Sequence, residues 1–574
     1  MCGLLLFRAC GTVAATAINR ARRMPLRASL ALLALAAAAA ASAETTLLVD
    51  ARIHTLDQSR PLVEAMAWDA EGRLLALGEA AALREQYRGA REIDLGGQTV
   101  VPGLIDAHGH LMNLGHALLR ADLMGATSKA EIVERLKSHA RDLPQGAWLL
   151  GRGWDQTLWP EAEFPTAADL DAHFPDRPVW LERVDGHAGW GNSLALSASK
   201  RDLSGDWQPE GGRILRDASG QPTGVFIDSA ERFIVEQIPA PSAEVDALAL
   251  ERALAEAVKF GLTGVHDAGV SLKQLGLYRR FADSGRLPLR IHAMANGDAE
   301  ALDALCAMGH YRHPSGRLQM RTVKLYIDGA LGSRGAALLA DYSDEPGNRG
   351  LLFAEPPAFE KILRKAYDCG AQVAAHAIGD RGNRVVLDGM QRVLGEASAS
   401  DHRWRIEHAQ VVALSDIPRF AQLGVIASMQ PTHATSDMRW AQARLGEDRL
   451  AGAYAWRRMK ESGAVLALGS DFPVELVDPL LGLHAAATRQ DARGWPEGGW
   501  IASQKLSLME ALRGFTLDAA RAGFAETEVG SLEPGKRADF VVLSRALEDL
   551  APADILELRV QSTWIDGERV YPAR

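Results

Sequence analysis

Eight short apolar segments recur between residues 104 and 469, near 104–107, 262–266, 289–294, 321–327, 371–375, 404–407, 424–428 and 464–469. Amphipathic helical stretches such as SAEVDALALERALAEAVKFG and FEKILRKAYDCG fill several of the gaps. Strands alternating with helices predict an α/β fold with a parallel sheet, and eight of them read as a (β/α)8 TIM-like barrel rather than an open doubly wound sheet. Five segments end in chemistry: GLIDAHGH, RTVKLYIDG, AQVAAHAIGD, RWRIEHAQ and AVLALGSDFPV deliver His108, His110, Lys324, His376, His408 and Asp471 in that order. Strand ends are where a barrel gathers its catalytic side chains.

The flanks of this region have a different texture. Residues 44–103 hold TTLLVDARIHTL, AMAWDAEGRLLALG and REIDLGGQTVVPG, and residues 523–574 hold GSLEPGKRADFVVLS and VQSTWIDGERVYP. Both read as short strands between Gly and Asp turns. Neither has enough strands to close a core alone, which predicts one composite β-sandwich beside a barrel at 104–522. The gap after the first barrel strand is too long for a helix and two loops, so residues 113–243 are expected as an insertion over the barrel mouth. It carries Trp148, Trp154, Trp159, Trp180, Trp190 and Trp207 of the chain's 13 tryptophans. These rings either pack the insertion's own core or, for Trp154 in particular, wall a substrate pocket.

Residues 1–43 place Arg20, Arg22, Arg23 and Arg27 before an apolar run from Ala28 to Ala41, followed by Ala41-Ser42-Ala43. That is the layout of a secretory signal peptide cleaved near Ala43, with Met1 or Met24 as its start, and it predicts a periplasmic or secreted protein without stable membrane anchoring. Its removal deletes five arginines and no acids, taking the formal charge from −10 to −15. A balance this acidic, with no long basic run, argues against a nucleic-acid partner. Cys306 and Cys369 remain, and two thiols do not make a disulfide framework, so buried free thiols are expected. No Gly-x-Gly-x-x-Gly, Walker or Gly-x-Ser-x-Gly pattern competes for the chemistry.

His108 and His110 are two residues apart, so both imidazoles leave the strand end on one side and can share an ion. Lys324 is the odd member, since an ammonium is repelled by metal. If its amine has taken up carbon dioxide it becomes an anionic carboxylate able to bridge two cations. Two such cations would share a hydroxide of lowered pKa.

These segments, with VVPGLIDAHGHL at one end and GSLEPGKRADFVVL at the other, resemble the amidohydrolase superfamily of metal-dependent hydrolases across the whole mature chain. GRGWDQTLWP, ERVDGHAGWGNSLAL, KLYIDGALGSRGA and GSDFPV are similar to the YtcJ-like subgroup, which includes N-substituted formamide deformylases. The resemblance implies zinc, two ions, held by His108, His110 and Asp471 at the more buried position and His376 and His408 at the more exposed one, with Lys324 bridging. It implies that Asp471 shuttles the proton in a metal-hydroxide attack on the C–N bond of a small, apolar or aryl-bearing amide. It is also compatible with a homodimer. A lactone, ester or phosphotriester substrate fits the same residues, as does a catalytically silent binding or regulatory protein. His187 stands between contact with substrate or leaving group and loop hydrogen bonding. His266 lines the pocket or orients a ligand, and His433 is a further substrate-side candidate. Asp328 and Arg334 either orient substrate or stabilise their loop by a salt bridge.

Overall fold

The computed structural model describes residues 45–573 apart from 142, 145, 184–187, 210 and 549; the expected leader and His187 lie outside them. Eight parallel strands form the centre: β1 (Leu104–Gly109), β2 (Leu262–Val270), β3 (Arg290–Ala295), β4 (Leu318–Tyr326), β5 (Gln372–Ala377), β6 (Arg405–His408), β7 (Ile426–Met429) and β8 (Leu466–Leu468). They pair in sequence order, each with the next. This is the expected (β/α)8 barrel, with each expected segment lying within or overlapping its strand. Nearly continuous burial along the strands explains their apolar runs, because helices such as Ala243–Lys259 and Asp380–Leu394 cover them outside while side chains fill the interior.

The ring closes between β8 and β1 through the residues just beyond them. Asp471 donates its backbone N–H to the His108 carbonyl at 2.7 Å, and His110 donates to the Phe472 carbonyl at 2.8 Å. The Asp106 carboxylate accepts from Ser470 N at 3.1 Å and Ser470 Oγ at 2.6 Å. A β-carbon at Gly469 would lie 2.5 Å from Asp106 Oδ1 and 2.6 Å from His108 N, so only glycine lets the seam close.

Strands from the two chain ends interleave. One sheet has the order Glu568–Tyr571, Val560–Ile565, Phe540–Leu543, Thr99–Pro102, Arg52–His54, Leu62–Val63, and the other joins Leu74–Gly78, Ala65–Trp68, Thr46–Val49 and Arg91–Asp94. Leu48, Ile53, Met66 and Trp68 share a core with Phe540, Val542 and Trp564. Arg290 of the barrel ties this unit down through Asp539 and Asp566.

The insertion forms its own six-stranded sheet and its own core. Trp154 is completely buried there against Trp159 and Trp190, and its indole N–H donates to the Leu181 carbonyl at 2.8 Å. Of the two readings of Trp154 the structure takes packing over the expected pocket wall, because all its ring neighbours belong to the insertion. The cysteines also correct the expectation of buried free thiols. Cys306, in helix Ala299–Met308, and Cys369, just past helix Pro356–Asp368, are half-buried and joined in a disulfide, with Cα atoms 5.2 Å apart. The helices that follow β3 and β4 are neighbours on the barrel exterior, a relation sequence spacing alone does not reveal. Among the described residues no helix is long and apolar enough to cross a membrane.

Trp154→Ala is expected to cost about 3–5 kcal/mol of stability, as for other buried aromatic truncations, while leaving KM unchanged. Chemical denaturation beside steady-state kinetics checks this, and a raised KM at unchanged stability would return Trp154 to the pocket.

Candidate metal centre

The barrel mouth brings together His108, His110 and Asp471, each offering a ligand atom within 4.8 Å of the others. Asp471 Oδ1 lies 3.0 Å from His110 Nε2 and 3.6 Å from His108 Nε2. A second group joins His408 and His433 to the same aspartate. The His376 ring packs edge-on against His408 with centroids 4.6 Å apart, and His408 lies 4.8 Å from His108. Thus His108, His110, His376, His408 and Asp471 do converge, and His433 joins them.

Three of the histidines are oriented from behind. His108 Nδ1 lies 2.5 Å from Glu407 Oε2, His110 Nδ1 lies 2.9 Å from the Ala268 carbonyl, and His408 Nδ1 lies 2.9 Å from Gln430 Oε1. All three partners are acceptors, so Nδ1 carries the hydrogen and the Nε2 lone pair turns inward. Backing of this kind orients metal-binding imidazoles. His108 Nε2, His376 Nε2, His433 Nε2 and Asp471 Oδ1 are buried and lack a hydrogen-bond partner within the protein. Unpartnered buried polar atoms are costly, and imidazole nitrogens with a carboxylate suit zinc. The residues present therefore fit a divalent metal.

Backbone geometry makes the convergence possible. Glu407 and His408 are consecutive, and in a regular strand they would face opposite sides. His408 and Ala409 have φ of 74° and 43°, a left-handed break that lets both residues reach His108. Asp471 at the seam has φ of 66°. Non-glycine residues in this region mark functional sites.

Electrostatics follow from burial. Burial, aided by the Lys324 charge, lowers His108 to about 4 despite Glu407, and burial with Lys324 and His108 lowers His376 to about 3. His408 is likewise held neutral. Burial would raise Asp471, but the adjacent His110 ring and the other surrounding imidazoles bring it down to about 2. Lys324 is 1% exposed; burial pulls its ammonium down to about 8 against the upward pull of Glu407 and Asp471. Its Nζ lies 4.4 Å from the centroid of Tyr326, a ring 40% exposed at the mouth. A cavity of about 170 Å3 opens beside His110, lined among others by Asn113, Gly269 and Tyr326.

Three substrate-side candidates take structural roles, although Asp328 Oδ1 lies 3.6 Å from His376 Nε2. His266 is not at the end of its strand: β2 continues to Val270, which leaves His266 deep in the barrel, where its Nδ1 accepts from Arg405 at 2.9 Å. Asp328 is fully buried and accepts backbone N–H groups of Ala337, Ile378 and Gly379 at 2.8–2.9 Å, stapling two mouth loops. Arg334 pairs with Asp344 at 3.0 Å and Glu345 at 3.2 Å, the loop salt bridge of its alternative reading.

Glu407, Arg405, Gln430 and Tyr326 were missed by sequence reasoning. Period-two alternation from Arg405 to Glu407, two charges in an otherwise buried strand, was the available signal.

Residues 91–571 match the model of the amidohydrolase family. The chain belongs to the amidohydrolase family. It is 36% identical to the Arabidopsis thaliana protein LONG AFTER FAR-RED 3 over 92% of this chain and 91% of that one. It is 28% identical to the N-substituted formamide deformylase of Arthrobacter pascens, over 92% and 98%. The crystal structure of a metal-dependent hydrolase from Pyrococcus horikoshii OT3 superposes with a TM-score of 0.73 at 29% identity, covering 88% of this chain and 99% of that chain. The expected family is therefore correct.

Glu407→Gln is expected to weaken metal retention by about 10–100-fold, as losses behind metal-binding histidines do. It should also lower stability by about 3–5 kcal/mol, because Arg405 is left buried without its anion. Chelator competition and denaturant melts read the two effects separately. Wild-type retention would show that Glu407 does not hold His108 for metal.

Proposed function

We propose that this amidohydrolase cleaves the C–N bond of a small amide at a divalent metal centre in the barrel mouth. The observation that carries the reading is the convergence of Asp471 with His108 and His110, whose Nε2 atoms are turned inward by their Nδ1 contacts, that of His108 being buried and unpartnered. The amide class is the one named in its formamide-deformylase relative.

His108, His110 and Asp471 would hold one ion, and His376 and His408 a second; zinc suits this donor set. When bound, the metal supplies Lewis-acid polarisation of the scissile carbonyl and makes water a competent nucleophile near neutral pH. Lys324 is suited to bridge. A nitrogen lowered to about 8 has an appreciable neutral fraction near neutral pH, and its lone pair can add to carbon dioxide. The new N–C bond and the released proton leave an anionic carbamate.

Asp471 is fully ionised at neutral pH and has an unpartnered oxygen at the centre. It takes the proton of the attacking water and returns it to the departing nitrogen, so that an amine and a carboxylic acid leave. Tyr326 replaces Trp154 as the aromatic wall for an apolar or aryl group. Export belongs to the same reading: it is supported by the layout of residues 1–43 and by the Cys306–Cys369 disulfide, a bond oxidising compartments favour.

Elemental analysis of the purified protein should find two ions per chain, and a panel of N-substituted formamides and aryl acetamides should be hydrolysed. Asp471→Asn should lower kcat by about 10²–10⁴-fold with the fold intact. One ion per chain would return Lys324 to a structural role. Turnover of lactones or esters but no amide would move the activity to another bond.

A further inference from the structure

By distance alone His433 could be a third nitrogen ligand, since it shares a group with His408 and Asp471. Its hydrogen bonding says otherwise. His433 Nδ1 lies 3.1 Å from Gln410 Nε2, an amide nitrogen that can only donate. The same Gln410 nitrogen lies 3.4 Å from Asp437 Oδ2, which also accepts from the Tyr454 hydroxyl at 2.6 Å. The carboxylate fixes which end of the Gln410 amide faces the imidazole. His433 Nδ1 is therefore the acceptor, and the ring hydrogen sits on Nε2.

This is the reverse of His108, His110 and His408, whose Nδ1 atoms face acceptors. A ring with hydrogen on Nε2 has no lone pair there to give a metal. His433 Nε2 is nevertheless buried, without a hydrogen-bond partner, and 3.6 Å from Asp471 Oδ2. Its ring stacks on His408 at a centroid distance of 5.8 Å, which holds the N–H at the edge of the centre.

Resting on the reading of this site as an amide hydrolase, we propose that His433 is a fixed hydrogen-bond donor to substrate and not a metal ligand. Its Nε2–H meets the substrate carbonyl oxygen as negative charge develops on it, and Gln410 and Asp437 are positioning residues that set the tautomer. A donor already aimed at developing charge does not have to reorganise during the reaction.

Three measurements test this: cobalt content with the visible spectrum of the Co2+-loaded protein, kcat/KM on N-substituted formamides, and long-range 1H–15N spectra of 15N-histidine in the metal-free protein. His433→Ala should keep the wild-type cobalt content and spectrum while losing about 100-fold or more in kcat/KM. The ring spectrum of wild type should contain a histidine protonated at Nε2 that disappears in His433→Ala, and Gln410→Leu should shift that signal toward a mixture of tautomers. Loss of a cobalt ion in His433→Ala, or an Nδ1-protonated ring, would make His433 a ligand and overturn the proposal. So would a kcat/KM within about threefold of wild type, far short of the loss of an oxyanion donor. Failure of the underlying hydrolase reading would appear in wild type itself, as no cobalt uptake or no turnover. The ring spectrum still decides the tautomer in that event.

Discussion

The Glu407 carboxylate is fully buried between the Arg405 guanidinium and the His108 imidazole, both equally buried. A charge in that position is tolerable only while every partner is present. Arg405 bonds Glu407 at 2.5 and 3.1 Å, the Ala107 carbonyl at 2.6 Å, Ser428 Oγ at 2.5 Å and His266 at 2.9 Å. One guanidinium thereby links β1, β2, β6 and β7, and the carboxylate it holds fixes the tautomer of His108. The polar interior continues downward through His292, Thr322 and Gln372, with Thr322 donating to Gln372 at 2.5 Å and contacting His292 Nε2 at 2.7 Å. Barrel stability and site geometry share this chain of contacts, so a change at its centre is felt in both.

What separates the two roles of histidine here is the group behind the ring. Carbonyl, carboxylate and amide-oxygen partners leave an inward lone pair, whereas an amide nitrogen leaves an inward hydrogen. The barrel mouth gathers these rings around one another and Asp471, and their backing decides what each can do. Left-handed backbone at His408, Ala409 and Asp471 adds the reach that regular strands cannot give.

The barrel was legible because buried parallel strands leave continuous apolar runs, and because ligands at strand ends can meet only in a closed ring. His108, His110, His376, His408 and Asp471 were found this way. The partners that orient them were not. Glu407 stands beside His408 and looks like a flanking charge until the left-handed turn is known, and Gln410 and Gln430 carry no motif. His266 was placed too high because β2 runs four residues past it, through DAGV, a stretch without the apolar look of a strand. Cys306 and Cys369 are 63 residues apart and become neighbours only when consecutive helices wrap the barrel.

The tryptophan-rich insertion has a consequence for specificity. Because Trp154, Trp159 and Trp190 are consumed in its own core, with indole N–H groups bonded to Leu181, Ala126 and Thr166 carbonyls, this cluster is a scaffold and not an adaptable surface. Substrate choice then falls to the loops that carry the ligands. Tyr326 lines the cavity beside His110, and Leu476 lines another of about 390 Å3 with Thr432 and Arg439, on the loops after β8 and β7. These loops can change shape without disturbing Arg405 and Glu407 beneath them. The arrangement lets the residues of the metal centre stay fixed while the substrate varies, which is the division of labour that a barrel with its site at the strand ends permits.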